Sequence, residues 1–141
     1  MIFTSGAYEL DDAAERIDTD AVWAFLSTQA YWNRARTRAE FEAQLASAWR
    51  LVGVYETATG RMVGFARAIS DGVAFGYLSD VFILADARGA GLGKELVATM
   101  IDRGPGAGFR WALHTSDAHD LYRRYGFTEP DARYLERQAT R

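Results

Sequence analysis

The chain has 141 residues, enough for one ordinary domain, and 49% apolar against 25% charged residues argues for a packed core rather than disorder. A formal net charge of −3 gives no footprint for nucleic acid, the lack of cysteine excludes disulfides, thiolate metal sites and an acyl-cysteine intermediate, and two histidines, His114 and His119, are too few to suggest zinc. No charged-then-apolar leader opens the chain and no run approaches ~18 apolar residues, so a single cytoplasmic domain over 1–141, with no membrane and no metal, is expected.

In chain order, "AYELDD" (7–12) reads as a short first strand. "TDAVWAFLSTQ" (19–29) reads as a helix with Thr19 as N-cap and Val22, Phe25, Leu26 and Gln29 on one face. "TRAEFEAQLASAW" (37–49) is a second helix, opened by a capping box of Thr37 and Glu40, with Phe41, Leu45 and Ala48 as its buried stripe. A hairpin turning at Thr59-Gly60 follows. "VAFGYLSDVFIL" (73–84) is a longer, nearly unbroken apolar run, suited to a central strand buried on both faces. A glycine-rich loop leads from it into a helix at about 91–102. "FRWALHT" (109–115) reads as a strand, and "DAHDLYRRYGF" (117–127) as a helix capped by Asp117 and stopped at Gly126. A last strand is expected at about 132–137. The order β-α-α-β-β-β-α-β-α-β predicts an α+β fold: a mixed sheet of six to seven strands with helices on both faces.

The loop "ADARGAGLGKEL" (85–96) carries the chemistry. The first N–H groups of a helix lack intrahelical partners and the macrodipole adds positive charge there, so a helix start attracts anions. Gly89, Gly91 and Gly93 let the backbone curl and remove side chains that would block close approach, while Arg88 and Lys94 add charge at either end. A Walker A loop is disfavoured, because Arg88 stands where its first glycine should be and Glu95 follows the lysine. The dinucleotide fingerprint fails at Lys94.

What fits is R-x-x-G-x-G through Arg88, Gly91 and Gly93, followed by "AHDLYRRYGF" with Ala118, Tyr122, Gly126 and Phe127 at the spacing A-x-x-x-Y-x-x-x-G-F. Together with the strands on either side, over roughly residues 50 to 128, these motifs resemble the GCN5-related N-acetyltransferase (GNAT) family. The resemblance implies a GNAT-type acyl-CoA N-acyltransferase fold whose fourth strand, 73–84, is bulged and splayed from the fifth, 109–115. It implies acetyl-CoA as cosubstrate. Backbone amides from Arg88 through Gly89, Ala90, Gly91, Leu92 and Gly93, with Lys94 beside them, would hold the diphosphate, and Val81, Phe82 and Ile83 would run along the pantetheine arm. One departure is Thr115, which stands where members often carry asparagine.

Acyl transfer to an amine needs a neutral amine and a proton for the departing thiolate. The resemblance makes Tyr122 the general acid, with a packing tyrosine as the bland alternative. Asp80, an acid inside an apolar strand, is the candidate base, since burial would raise its pKa; a structural aspartate is the alternative. Tyr77 and Ser79 lie on the other strand face unless a bulge shifts the register. His114 is a weaker proton-shuttle candidate. "QAYWNRART" (29–37) concentrates Tyr31, Trp32 and Arg34 between two helices, and Tyr31, Trp32 and Tyr77 are expected to wall the acceptor pocket. The expected activity is direct acetyl transfer to a small-molecule primary amine. Acetylation of a protein lysine or aminoacyl-tRNA amine, and a non-catalytic acyl-CoA sensor, are the competing readings, and a homodimer is compatible with all three.

Overall fold

A computed structural model describes residues 1–33 and 35–140. Among the described residues six strands form one sheet in sequence order: β1 (Ile2–Ser5), β2 (Tyr8–Asp11), β3 (Arg50–Glu56), β4 (Met62–Ser70), β5 (Phe75–Ile83) and β6 (Arg110–Ala112). Neighbours from β1 to β5 are antiparallel, and β6 alone is parallel to its partner, β5. A parallel pair needs a crossover, which α3 (Leu92–Ile101) supplies. The remaining helices are α1 (Thr19–Thr28), α2 (Arg38–Ser47) and a short α4 (His119–Arg123).

The helices cover opposite faces. Val22, Phe25 and Leu26 of α1 and Phe41 of α2 pack on Phe65 and Phe82. Leu92, Leu96, Val97 and Met100 of α3 pack on Val52, Val54 and Leu78. Each such side chain, taken fully from water, contributes roughly 1.5–3 kcal/mol. Because both faces of β3 are covered, even Arg50 at its start is buried. Its guanidinium donates to the carbonyls of Thr99 (2.7 Å) and Met100 (3.0 Å) at the end of α3, and pairs with Asp12 at 3.0 Å. A cation there satisfies orphan carbonyls and meets the negative end of the helix dipole.

Several expectations change. The strand expected at 7–12 is the second limb of an N-terminal hairpin, because Gly6, at φ +57°, turns the chain back from β1. The N-cap of α1 is Asp18, whose carboxylate accepts from the Ala21 amide at 3.0 Å, and not Thr19. The capping box of Thr37 and Glu40 is present. Gln29 is exposed, and of the α2 stripe only Phe41 is fully buried. Residues 109–115 contribute just three strand residues. The helix expected at 117–127 contracts to five residues, with Ala118 rather than Asp117 at its N-cap, and the Thr115 hydroxyl accepts from the Ala118 amide at 3.1 Å. Residues 132–137 form no strand.

β5 positions everything that follows. It is not buried on both faces: Gly76, Leu78, Asp80 and Phe82 are buried, while Tyr77, Ser79, Val81 and Ile83 are half-buried. Phe65 faces Phe82 and Arg67 faces Ser79, so Asp80 and Val81 together oppose the single residue Ala66. This is a β-bulge, and Asp80 takes φ +53°. Its effect is a change of face: Leu78 enters the α3-side core, whereas Phe82 enters the core under α1 and α2. On its other edge β5 pairs with β6 only from Phe75 to Tyr77. Beyond Tyr77 the two strands part, leaving the β5 edge from Leu78 to Ile83 unpaired on that side.

Candidate active site

The open β5 edge runs into the glycine loop. A 3-10 turn (Ala85–Ala87) is followed by Arg88 in an extended conformation, then Gly89 at φ +92° and Gly91 at φ +74°. Gly91 is the N-cap of α3 and provides no side-chain cap. The first backbone bond of this helix runs from the Glu95 amide to the Gly91 carbonyl at 3.2 Å. Among the described residues the amides of Gly89, Ala90, Gly91, Leu92, Gly93 and Lys94 therefore have no protein acceptor. The Arg88 amide, expected in the cradle, donates instead to the Ala85 carbonyl at 3.3 Å, the Arg88 guanidinium folds back with Nε donating to the Ile83 carbonyl at 3.1 Å, and Lys94 is exposed.

Gly93 tests whether this loop fits a diphosphate. It lies in the first turn of α3 with no positive φ, and a Cβ built there meets nothing within 4 Å. A helical glycine costs about 1 kcal/mol relative to alanine. No turn and no internal contact calls for it, so the space it leaves is space for a close-approaching group. Six free amides, a helix N-terminus and two flanking cations suit a diphosphate.

Tyr122 of α4 is 8% exposed, its ring packed edge-on to Phe127 at 5.7 Å. Burial, reinforced by Tyr31 and Asp117, pushes its pKa up to about 12. The phenol is thus fully protonated at neutral pH, the state a proton donor needs. Tyr125, read from sequence as packing, also donates from its hydroxyl to the Lys94 carbonyl at 2.8 Å, tying the end of α4 to the start of α3.

Asp80 overturns its sequence-based expectation. Its carboxylate accepts from Trp32 Nε1 at 3.0 Å, from Arg36 at 2.9 and 3.0 Å and from Arg67 Nε at 2.9 Å. Burial pushes the carboxyl up, but hydrogen bonds from Arg36 and the charges of Arg67 and Arg36 outweigh it, and its pKa is held below the usual aspartate value. An ionised carboxylate with four donors is a poor proton acceptor. Asp80 is instead the knot that ties the loop after α1 to the bulge.

That loop spans the mouth between β5 and β6. Trp32 is anchored to Asp80, and the Tyr31 hydroxyl lies 3.3 Å from both Asp117 Oδ1 and the Ser116 amide beyond β6. The two rings meet edge-on at 5.1 Å. Arg34 lies outside the described residues. The bulge brings Tyr77, Ser79 and Asp80 to the same side, where Arg67 bonds both Asp80 and the Ser79 hydroxyl. Tyr77 and Tyr122 line one cavity of about 940 Å³, along with Trp111, His114 and Tyr134. Tyr31, Trp32 and the glycine loop are not in its described lining. Sequence reasoning missed Arg36, Arg67 and Glu136. A charge inside the apolar strand "MVGFARAIS" was the available signal for Arg67.

A model of the acetyltransferase (GNAT) family matches residues 15–127. The chain belongs to this family of acyltransferases. A crystal structure from Xanthomonas campestris pv. campestris, described as of the GNAT family, is 34% identical, covers 94% of this chain and 93% of its own, and superposes with a TM-score of 0.85. A Gibberella zeae protein that carries an acetyltransferase assignment, FG08082, is 31% identical over 96 residues, 63% of this chain. The match spans 54%, about half, of that relative's length. N-acetylglutamate synthase from Neisseria gonorrhoeae, complexed with coenzyme A and N-acetyl-glutamate, shares the fold at TM-score 0.69 with 17% identity, over 91% of this chain and 30% of its own. Among the described residues no helix is long and apolar enough to cross a membrane.

Proposed function

We propose that residues 1–141 act as an acetyl-CoA-dependent N-acetyltransferase whose acceptor is the primary amine of a small molecule, attacking directly in a ternary complex. The observation that carries this reading is the row of amides from Gly89 to Lys94 with no acceptor among the described residues, with open space at Gly93, at the end of a strand that pairs with no strand on its β6 side from Leu78 to Ile83. Family membership supports acetyl-CoA as the donor. The fold relative bound to coenzyme A supports it too. When bound, acetyl-CoA supplies an acyl group already activated as a thioester. The amides of 89–94 bind the diphosphate and so fix which way the arm points. The β5 edge along Val81, Phe82 and Ile83, where the Ile83 carbonyl holds Arg88 Nε, pairs with the arm's amides as a neighbouring strand would.

Tyr122 gives its proton to the departing sulfur. A phenol at about 12 is a weak acid, but the apolar surroundings that raise it raise a thiol beside it as well, which narrows the gap. With no cysteine in the chain, no acyl-cysteine relay is available, which favours direct attack. Tyr31 and Trp32 wall the acceptor side and, with Tyr77, favour an amphipathic or aromatic amine.

The test is thiol release from acetyl-CoA over a panel of small primary amines, with mass spectrometry of the products. Release that depends on one amine supports the reading; acetylation confined to protein lysines or charged tRNA removes the small-molecule acceptor, and binding without release leaves a sensor. Tyr122→Phe is expected to lower kcat about 10²-fold or more, the usual scale of acid catalysis, with coenzyme A affinity unchanged. Unchanged turnover contradicts the acid assignment.

A further inference from the structure

We propose that Tyr77, His114 and Glu136 form a relay that takes the acceptor's ammonium proton out of the cleft to solvent. The inference rests on the acetyl-transfer reading and names a proton acceptor other than Asp80.

Tyr77 is the last residue of β5 paired with β6, opposite Ala112, so it stands at the vertex where the two strands part. An arm anchored at 89–94 and laid along Ile83 toward Leu78 points its reactive end at this vertex. The Tyr77 hydroxyl lies 2.5 Å from His114 Nδ1, and His114 Nε2 lies 2.9 Å from Glu136 Oε2. Glu136 is itself oriented, accepting from the Tyr134 hydroxyl at 3.0 Å and from Gln138 Nε2 at 2.8 Å. Hydrogen bonds from His114 and Tyr134 hold its carboxyl below the usual glutamate pKa, so it is ionised at neutral pH.

An ionised Glu136 accepts only, which places the imidazole hydrogen on Nε2 and leaves Nδ1 as an acceptor aimed at the Tyr77 O–H. The Tyr77 oxygen then keeps its lone pairs free toward the cavity it shares with Tyr122. The step balances: the ammonium gives one proton to Tyr77 Oη, Tyr77 gives its own to His114 Nδ1, and the imidazolium is stabilised by Glu136. The products are a neutral amine, an unchanged phenol and one proton on His114. The His114 side chain is 60% exposed, so that proton passes on to water. The titratable and charged groups around the relay are Tyr134 and Glu136, with Arg67 and Asp80 also acting on Tyr77. Tyr77 is the catalytic member; His114 and Glu136 act through it.

The experiment uses the whole chain and the panel amine that the wild type turns over fastest, with thiol release followed from pH 5.5 to 10. The wild type is expected to lose rate on the acid side of the profile. In His114→Gln and Tyr77→Phe, kcat/KM at pH 7.5 is expected to fall about 10²-fold, and the acid limb to move up to the amine's own pKa. The double variant should lose no more than either single one. In Glu136→Gln kcat/KM is expected to fall less than in His114→Gln, because the imidazolium loses its anion but the relay atoms remain. Equal coenzyme A affinity and melting temperature across the set show that each variant is folded, and His119→Gln serves as control. A His114→Gln enzyme that keeps the wild-type limb and rate overturns the relay alone. A folded wild type that binds coenzyme A and acetylates no amine overturns acetyl transfer, and the relay with it.

Discussion

Two polar regions flank the second half of β5, and they differ in what they lack. At the start of α3, amides from Gly89 to Lys94 have no acceptor among the described residues, and space stands open above Gly93. At the bulge, one carboxylate, Asp80, takes hydrogen bonds from Trp32, Arg36 and Arg67 and is 1% exposed. Both hold backbone at positive φ, but the loop does so at Gly89 and Gly91, where it costs little, and the bulge does so at an aspartate, where it costs roughly 1–2 kcal/mol. Donors without acceptors on a solvent-facing loop are suited to a ligand. A charge with every lone pair engaged is suited to holding the architecture.

Breaking the bulge cluster should have the largest effect. Asp80→Ala leaves two guanidinium groups without their anion, and a loss of about 3–5 kcal/mol is expected by chemical denaturation. A change under 1 kcal/mol would mean that Arg36 and Arg67 reach water easily and that the cluster is no knot.

The same cluster sharpens the comparison through pH. The folded pKa of Asp80 lies below its unfolded value, so its stabilising contribution is complete above about pH 3.9 and is lost as pH falls through the lower folded value. Asp80→Asn should therefore flatten the acid limb of stability measured between pH 5 and 2. An acid limb identical to wild type contradicts the assignment.

The glycine loop should respond with opposite signs in two assays. Gly93→Ala adds a methyl group in open space on a helix, so the free protein is expected to gain up to ~1 kcal/mol. The same methyl intrudes on the diphosphate space, and coenzyme A affinity by calorimetry is expected to fall about tenfold, or ~1.4 kcal/mol. A stabilised protein with undiminished affinity would remove Gly93 from the cradle.

How far each region was legible before the structure follows from where its determinants lie. The loop's glycines, the capping box at Thr37 and Glu40, and the amphipathic α3 are local, and sequence spacing suffices for them. The pKa of Asp80 is not local: Arg67, Arg36 and Trp32 come from 13, 44 and 48 positions away, and nothing in "YLSDVFIL" announces them. Apolarity there implied a raised pKa because desolvation is the only term that a strand's own residues reveal. The switch of face at the bulge was not legible in the strand's own residues, since strict alternation puts Leu78 and Phe82 together, and only the family resemblance implied a bulge. β1 was missed because four residues before a Gly6 turn give too short a pattern. Residues 117–127 looked like a longer helix because their apolar spacing runs past Arg123, where regular helix ends. The pairing of His114 with Glu136 joins residues 22 apart and needs the chain's final path.

The most direct test of the account is amide-resolved NMR of the whole chain titrated with coenzyme A. Saturable shifts confined to Gly89 through Lys94 and the β5 edge, with the Trp32 and Arg36 side-chain N–H signals at Asp80 unmoved, are the predicted result. Saturable binding that perturbs the Asp80 cluster and leaves the α3 start untouched, or no saturation by folded protein, would contradict it.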